Sequence, residues 1–353
     1  MTRIAKIQSK LKERELDAVV LFSEVNVHYA AQFFITDGAA VVTREKAYLI
    51  TDSRYIEAAK AEAKDVEVLL YDAQHGLAER VKDALSGCRA IGAEEGKLPY
   101  AEWNRWQERI GCSFVPAEGI LLELRSVKDP DEIESLVKAQ RIAEQALEEI
   151  LKIIKPGIRE RDIAAELTYR MMLLGGEGNS FDPITITGAN TSKPHGVPGD
   201  AVVQAGDFVT MDFGTLWNGY HSDMTRTVAV GYATDEMKKV YNTVLEAQLR
   251  GISLMKAGTT GADVHNAAAK VIADAGYGPY FGHGFGHSVG LEIHEEPRAS
   301  GKNDKPLPAG AVVTAEPGIY LPGKFGVRIE DMILIGEDGP TDLTKAPKEL
   351  IIL

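Results

Sequence analysis

Cysteine is almost absent from this chain. Cys88 and Cys112 are the only two among 353 residues. Two thiols in a chain of this length make no disulfide framework and point to a reducing compartment. A surplus of basic residues is missing as well. The formal net charge is −13, which repels nucleic acid and anionic membranes overall and argues against both as partners. No stretch reaches the ~18 uncharged apolar residues of a membrane span. The opening residues, MTRIAKIQSKLKERELDAVVLF, read as an amphipathic helix running into a strand, with no signal core. Together these absences favour a cytoplasmic protein.

The remainder is of ordinary globular composition, 44% apolar and 26% charged, at a length expected of about two domains. Helix-like stretches at 4–16, 54–64, 76–85 and 99–110 alternate with strand-like ones at 17–22, 39–43, 46–51 and 90–93. That alternation is the pattern of an α/β domain. Trp103 and Trp106, three apart, read as packing residues. The stretch Leu121–Pro130 reads as a boundary, dividing the chain into 1–122 and 123–353. Asp129 and Pro130 then form the N-cap and first position of a long helix ending near Ile154.

The second part is written twice. AGDFVTMDFG at 205–214 returns as AGAVVTAEPG at 309–318, and KPGIRERDI at 155–163 returns as KAGTTGADV at 256–264. Asp162 aligns with Asp263 and Gly175 with Gly276. Two matches in the same order imply a pseudo-twofold domain with its site between the halves. Each repeated phrase is a hairpin. Val209–Leu216 turns at Asn218-Gly219 and returns over Tyr220–Val230, so that Asp212 faces Thr225 and shares a face with Asp223. Val312–Tyr320 turns at Pro322-Gly323-Lys324 and returns over Phe325–Ile335, setting Glu316 opposite Glu330. Like charges so placed repel unless a cation lies between them. A solvated or arginine-bridged pair would explain either hairpin alone; two homologous pairs weaken that explanation. His283, His287 and His294 cluster in the loop between them. Oxygen-rich ligation with an imidazole suits Mn²⁺, Co²⁺ or Fe²⁺ and admits Zn²⁺. Two divalent ions would neutralise four carboxylates and lower the pKa of a shared water. His28, His75 and His265 are read as structural, and His221 as a neighbour of Asp223.

These residues carry a family resemblance. SDMTRT around Asp223, GHGFGHSVG around His287, EPGIY at Glu316 and GVRIED at Glu330 resemble the pita-bread metallopeptidases (family M24), and NVHYAAQFF with YLITDSRY resembles the creatinase-type N-terminal domain of their proline-specific branch. The resemblance covers nearly the whole chain. It implies a mixed α/β (α+β) protein, with a creatinase-type domain followed by a duplicated pita-bread domain. It implies that Asp212, Asp223, His287, Glu316 and Glu330 hold two divalent ions. It makes His195 and His294 catalytic and substrate-contacting, with Phe181 and His283 in the substrate pocket and Thr225 and Arg328 supporting the ligands. It gives Glu316 a second duty, proton transfer to the departing proline nitrogen. The implied reaction is hydrolysis of Xaa-Pro bonds in small proline-containing peptides by a homodimer. Arg298 matches an arginine that meets a substrate carboxylate, which favours an Xaa-Pro dipeptidase; an Xaa-Pro aminopeptidase acting on longer peptides is the close alternative, and a metal-free binding module the distant one.

Overall fold

Strands with apolar centres such as AVVL and GAAVVT must be covered on both faces, and they form the middle of the first of two units, Met1–Arg125. The computed structural model describes residues 1–353. In chain order this unit contains α1 (Arg3–Glu13), β1 (Ala18–Leu21), α2 (Glu24–Ala31), β2 (Gly38–Thr43), β3 (Ala47–Thr51), α3 (Ile56–Glu62), β4 (Glu67–Leu70), α4 (Leu77–Ala84), β5 (Ile91–Ala93), α5 (Tyr100–Ile110), β6 (Phe114–Pro116) and α6 (Glu118–Ser126). The strands make one mixed sheet in the order β4-β3-β2-β1-β5-β6. Val20, Val41, Ile50 and Ile91 form its core with Val81 and Leu85 of the α4 region. Trp103 meets Phe114 edge-on at 5.3 Å and Trp106 lies 4.5 Å from Phe22, so both tryptophans pack.

Within the stretch Leu121–Pro130, α6 carries Leu121 into the core, only residues 127–129 lie outside helices, and the two units divide between Arg125 and Ser126. Helix α2 has no amphipathic signature, since it buries Asn26 and Tyr29 beside Val27, Ala30 and Ala31.

The second unit, Ser126–Leu353, begins with α7 (Pro130–Ile150) and α8 (Glu160–Leu173), then β7 (Ile184–Thr187), β8 (Phe208–Phe213), β9 (Leu216–Trp217), β10 (Tyr220–His221) and β11 (Met224–Ala229). There follow α9 (Asp235–Ile252), α10 (Gly261–Asp274), β12 (Gly286–Ser288), β13 (Glu295–Ala299), β14 (Val312–Ala315), β15 (Gly318–Leu321), β16 (Phe325–Arg328), β17 (Asp331–Ile335) and β18 (Pro340–Asp342). Asp129 caps α7 through a capping box with Glu132, and Pro130 opens the helix. The sheets run β11-β8-β7 and β13-β12-β14-β17-β18. The first half packs Ile142, Leu147, Leu167 and Met211 into one core, and the second packs Val244, Val264, Val313 and Ile333 into another.

The duplication is visible in the backbone. The Gly157 amide donates to Val203 and the Gly258 amide to Leu307. Helices α8 and α10 both end in a Schellman motif: Gly175 donates to Met172 and Gly176 to Met171, while Gly276 donates to Ala273 and Tyr277 to Ile272. Gly175 and Gly276 take the left-handed φ of 99° and 87° that this ending requires. The hairpin registers are those expected, with Asp212 opposite Thr225, and with Ala315↔Asp331 and Gly318↔Arg328 bracketing residues 316 and 330. The strands themselves are shorter than expected. The first hairpin breaks at Gly214-Thr215 and Ser222-Asp223, and the second at Glu316-Pro317 and Ile329-Glu330. Three of the four acids therefore sit where the ladder stops. No helix is long and apolar enough to cross a membrane, and both cysteines are free thiols.

Glycine follows each first acid by two residues because there is no room for more. A Cβ at Gly214 would lie 1.9 Å from the Ser222 carbonyl oxygen, and one at Gly318 would lie 2.4 Å from the Tyr320 hydroxyl. Gly276, by contrast, has open space around it. Gly276→Ala should cost only the left-handed backbone penalty, about 1–2 kcal/mol in denaturant unfolding. Gly214→Ala should lower stability clearly further, and equal losses would contradict this account of the break.

Candidate functional site

Asp212 lies on β8, the central strand of its sheet, and Asp223 lies one residue before β11. Glu316 follows β14, Glu330 precedes β17, and His287 is in the middle of β12. Asp212, Asp223, His287 and Glu330 are buried, and Glu316 is partly so. Ligand-type atoms of Asp223, His287 and Glu330 all lie within 4.8 Å of one another. His287 Nε2 is 3.6 Å from Asp223 Oδ2 and 3.5 Å from Glu316 Oε1. Its Nδ1 is 3.1 Å from the Ser288 carbonyl, to which a protonated Nδ1 donates, leaving the Nε2 lone pair turned toward the carboxylates. Five residues far apart in sequence thus converge on one point.

One guanidinium faces this charge. Arg328 Nη2 donates to Asp212 Oδ2 at 2.6 Å, Nε to Thr225 Oγ1 at 3.1 Å and Nη1 to the Tyr320 hydroxyl at 2.9 Å. The Thr225 hydroxyl donates a hydrogen bond to Glu330 Oε2 at 2.7 Å, so the first half steadies an acid of the second. The arginine-bridged explanation is therefore correct for one oxygen of one acid. It leaves Asp212 Oδ1 buried without a hydrogen-bond partner. Burial, with the neighbouring negative charges, raises Asp223 and Glu330 well above the ordinary carboxylate range and Glu316 to about 8. Burial lowers His287 to about 4, so its imidazole is neutral near pH 7. Four carboxylates, one of them with an orphaned oxygen, and one neutral imidazole form an oxygen-rich donor set that fits divalent cations.

The cluster lies in the wall of a cavity of ≈ 650 Å³, whose lining also includes Phe181, His195, His283, His294 and Arg298. The His294 ring centre lies 4.4 Å from that of His287. Thr225 is wholly buried behind the cluster, while Arg328 reaches the cavity wall. The remaining histidines lie outside the cavity lining: His221 contacts the Ser180 carbonyl at 3.1 Å, His265 stacks on Phe281, His28 is beside Phe34 and His75 is near Asp72.

Sequence reasoning passes over Tyr320. Its hydroxyl accepts from Arg328 and lies 2.9 Å from His283 Nε2, joining the ligand support to the pocket wall. The signal was its place four residues after Glu316 in EPGIY. On an extended segment that spacing returns to the same face.

Residues 134–337 match the model of metallopeptidase family M24, and residues 3–127 match the creatinase/prolidase N-terminal domain. The Xaa-Pro dipeptidase of Pyrococcus furiosus is 36% identical over 99% of this chain and 99% of its own length. Among solved structures, an Xaa-Pro dipeptidase from Bacillus anthracis superposes with a TM-score of 0.95 at 41% identity, covering 99% of both chains. An X-Pro aminopeptidase from Thermotoga maritima superposes with a TM-score of 0.93 at 36% identity, covering 97% of this chain and 99% of its own.

The raised carboxylates make the cation-free protein sensitive to pH. A folded pKa of about 8 at Glu316, against about 4.3 when unfolded, means that folding retains a proton. Stability from that group is complete below the unfolded value and is lost as pH rises through the folded one. The lowered histidines act in the opposite direction, an effect that is spent about one pH unit above 6.5, their unfolded value. Chelator-treated protein should therefore melt at lower temperature as pH rises from 7.5 to 8.5. Mn²⁺ should raise the melting temperature more at pH 8.5 than at pH 7.5. A melting temperature that climbs over this interval without metal would contradict the assignment.

Proposed function

The chain belongs to metallopeptidase family M24, and from that premise we propose that it is a dinuclear-metal Xaa-Pro dipeptidase. One observation carries the reading. A buried cage of four carboxylates and an imidazole opens into a cavity that also presents an exposed guanidinium, Arg298. Asp212, Asp223, His287, Glu316 and Glu330 would hold the two ions, with Mn²⁺ or Co²⁺ matching the oxygen-rich set best and Fe²⁺ or Zn²⁺ as alternatives. When bound, the ions supply an activated water and polarise the scissile carbonyl.

The chain's own groups do the rest. Thr225 and Arg328 hold Glu330 and Asp212 in orientation. Glu316 receives the proton of the attacking water and returns it to the proline nitrogen, which as a tertiary amide must be protonated to leave. His195 and His294, both in the cavity wall, donate to the oxygen that becomes negative at the tetrahedral carbon. Phe181 and His283 form part of the substrate wall. Arg298 has a surface contact with Glu296 at 3.3 Å. Such a pair contributes little and can be exchanged for the terminal carboxylate of a dipeptide. We further infer a cytoplasmic homodimer, from the scarce and unpaired cysteines and from the family likeness.

The aminopeptidase reading is favoured by the close superposition on the Thermotoga X-Pro aminopeptidase. Metal-loaded protein offered Ala-Pro and Ala-Pro-Ala separates the two. The dipeptide should be the better substrate, and Arg298→Ala should raise its KM about tenfold or more, the loss of one charged hydrogen-bonded contact. Turnover of the tripeptide alone, with Arg298→Ala silent, would establish the aminopeptidase instead.

A further inference from the structure

Lys128 stands in the short segment between α6 and α7, and its side chain is only 1% exposed. Its Nζ donates to Glu295 Oε2 at 3.0 Å and to Ser288 Oγ at 3.2 Å. The Glu295 side chain is 5% exposed, and its other oxygen accepts from the Glu292 amide at 3.1 Å. The Ser288 hydroxyl donates a hydrogen bond to the Val312 carbonyl at 2.8 Å, and the Lys128 amide donates to the Gly310 carbonyl at 2.9 Å. The Lys128 ammonium therefore ties β12 to β13, and its backbone amide ties the same segment to the start of the second hairpin. Removing one member of so buried a pair leaves an uncompensated charge, which a fold does not absorb without rearranging.

What is pinned is an irregular segment. His287 pairs with Arg298 across β12 and β13, but the next residue, Ser288, pairs with Glu295, so Glu296 and Pro297 are extra residues bulged out of the ladder. The bulge re-aims its flanks. His294 and Arg298, on either side of it, both line the cavity. A ladder with two unpaired residues can slip in register unless something specifies where the bulge falls. Glu295 is the last paired residue before the bulge, and its carboxylate is the group that Lys128 holds.

We propose that Lys128 is a positioning residue which, through Glu295, fixes the register of the bulged segment 294–298 and thereby sets where the substrate's carboxyl end is met. The proposal rests on the reading of Arg298 given above. Lys128 touches neither the cavity nor any of the five cage residues in a hydrogen bond, so it acts on recognition while the cage stays intact.

Lys128→Met should raise KM for Ala-Pro about tenfold and lower kcat as well, because His294 lies in the same segment, while bound Mn²⁺ stays within twofold of wild type. Lys128→Arg should recover most of the loss. In an Arg298→Ala background, Lys128→Met should add little further change in KM. Hydrogen–deuterium exchange over residues 290–300 should accelerate about tenfold in Lys128→Met and in Glu295→Gln. That readout needs no substrate, so it stands even where the dipeptidase reading fails. Unchanged exchange over 290–300 in folded Lys128→Met would overturn the proposal, as would fully additive KM effects with Arg298→Ala. Should Lys128→Met fail to fold, Glu295→Gln and Lys128→Arg carry the same comparisons.

Discussion

Everything in the second unit is arranged around a concentration of negative charge that the protein does not neutralise by itself. Asp212, Asp223, Glu316 and Glu330 converge out of bulk water, and Arg328 is the one cation bonded to them. Desolvation of such a group without compensation is costly. The chain meets the cost in two ways. Protons are retained, as the upward shifts of three acids indicate. Hydrogen bonds from Thr225, Thr314 and Arg328 orient the oxygens. Neither device reaches Asp212 Oδ1, and a divalent cation would satisfy it.

The duplicated architecture explains how the acids come to one place. Each half builds the same turn, Schellman-ended helix and glycine-started hairpin, and each contributes a pair of acids. The contacts that unite the site cross from one half to the other. Thr225 of the first hairpin bonds Glu330 of the second, and Arg328 of the second bonds Asp212 of the first. Arg226 does similar work beneath the site, donating to the Glu330 carbonyl and to Asp331. A single half would expose its acids and leave these donors without acceptors.

Much of this was legible in the primary structure, for identifiable reasons. The hairpin registers followed from Asn218-Gly219 and from the three-residue loop at Pro322, because turn chemistry sets register. The helix start at Asp129-Pro130 followed from capping rules. The strand interruptions at Gly214 and Pro317 were hidden, since the apolar pattern continues through them and only backbone crowding reveals the break. Tyr320 was passed over because its role depends on a hydroxyl meeting two side chains that lie apart in sequence. Lys128 was hidden for a related reason. A lysine between two helices reads as solvated, and only the fold shows it buried against Glu295.

The central claim is that the carboxylate cage exists to hold two divalent ions. Chelator-stripped protein, dialysed against Mn²⁺ or Co²⁺ and desalted, would have its metal content measured per chain. The wild type should hold two ions per chain, and an Asp212→Ala, Glu330→Ala double variant that remains folded should lose both. Fewer than one tightly held ion per wild-type chain would contradict it.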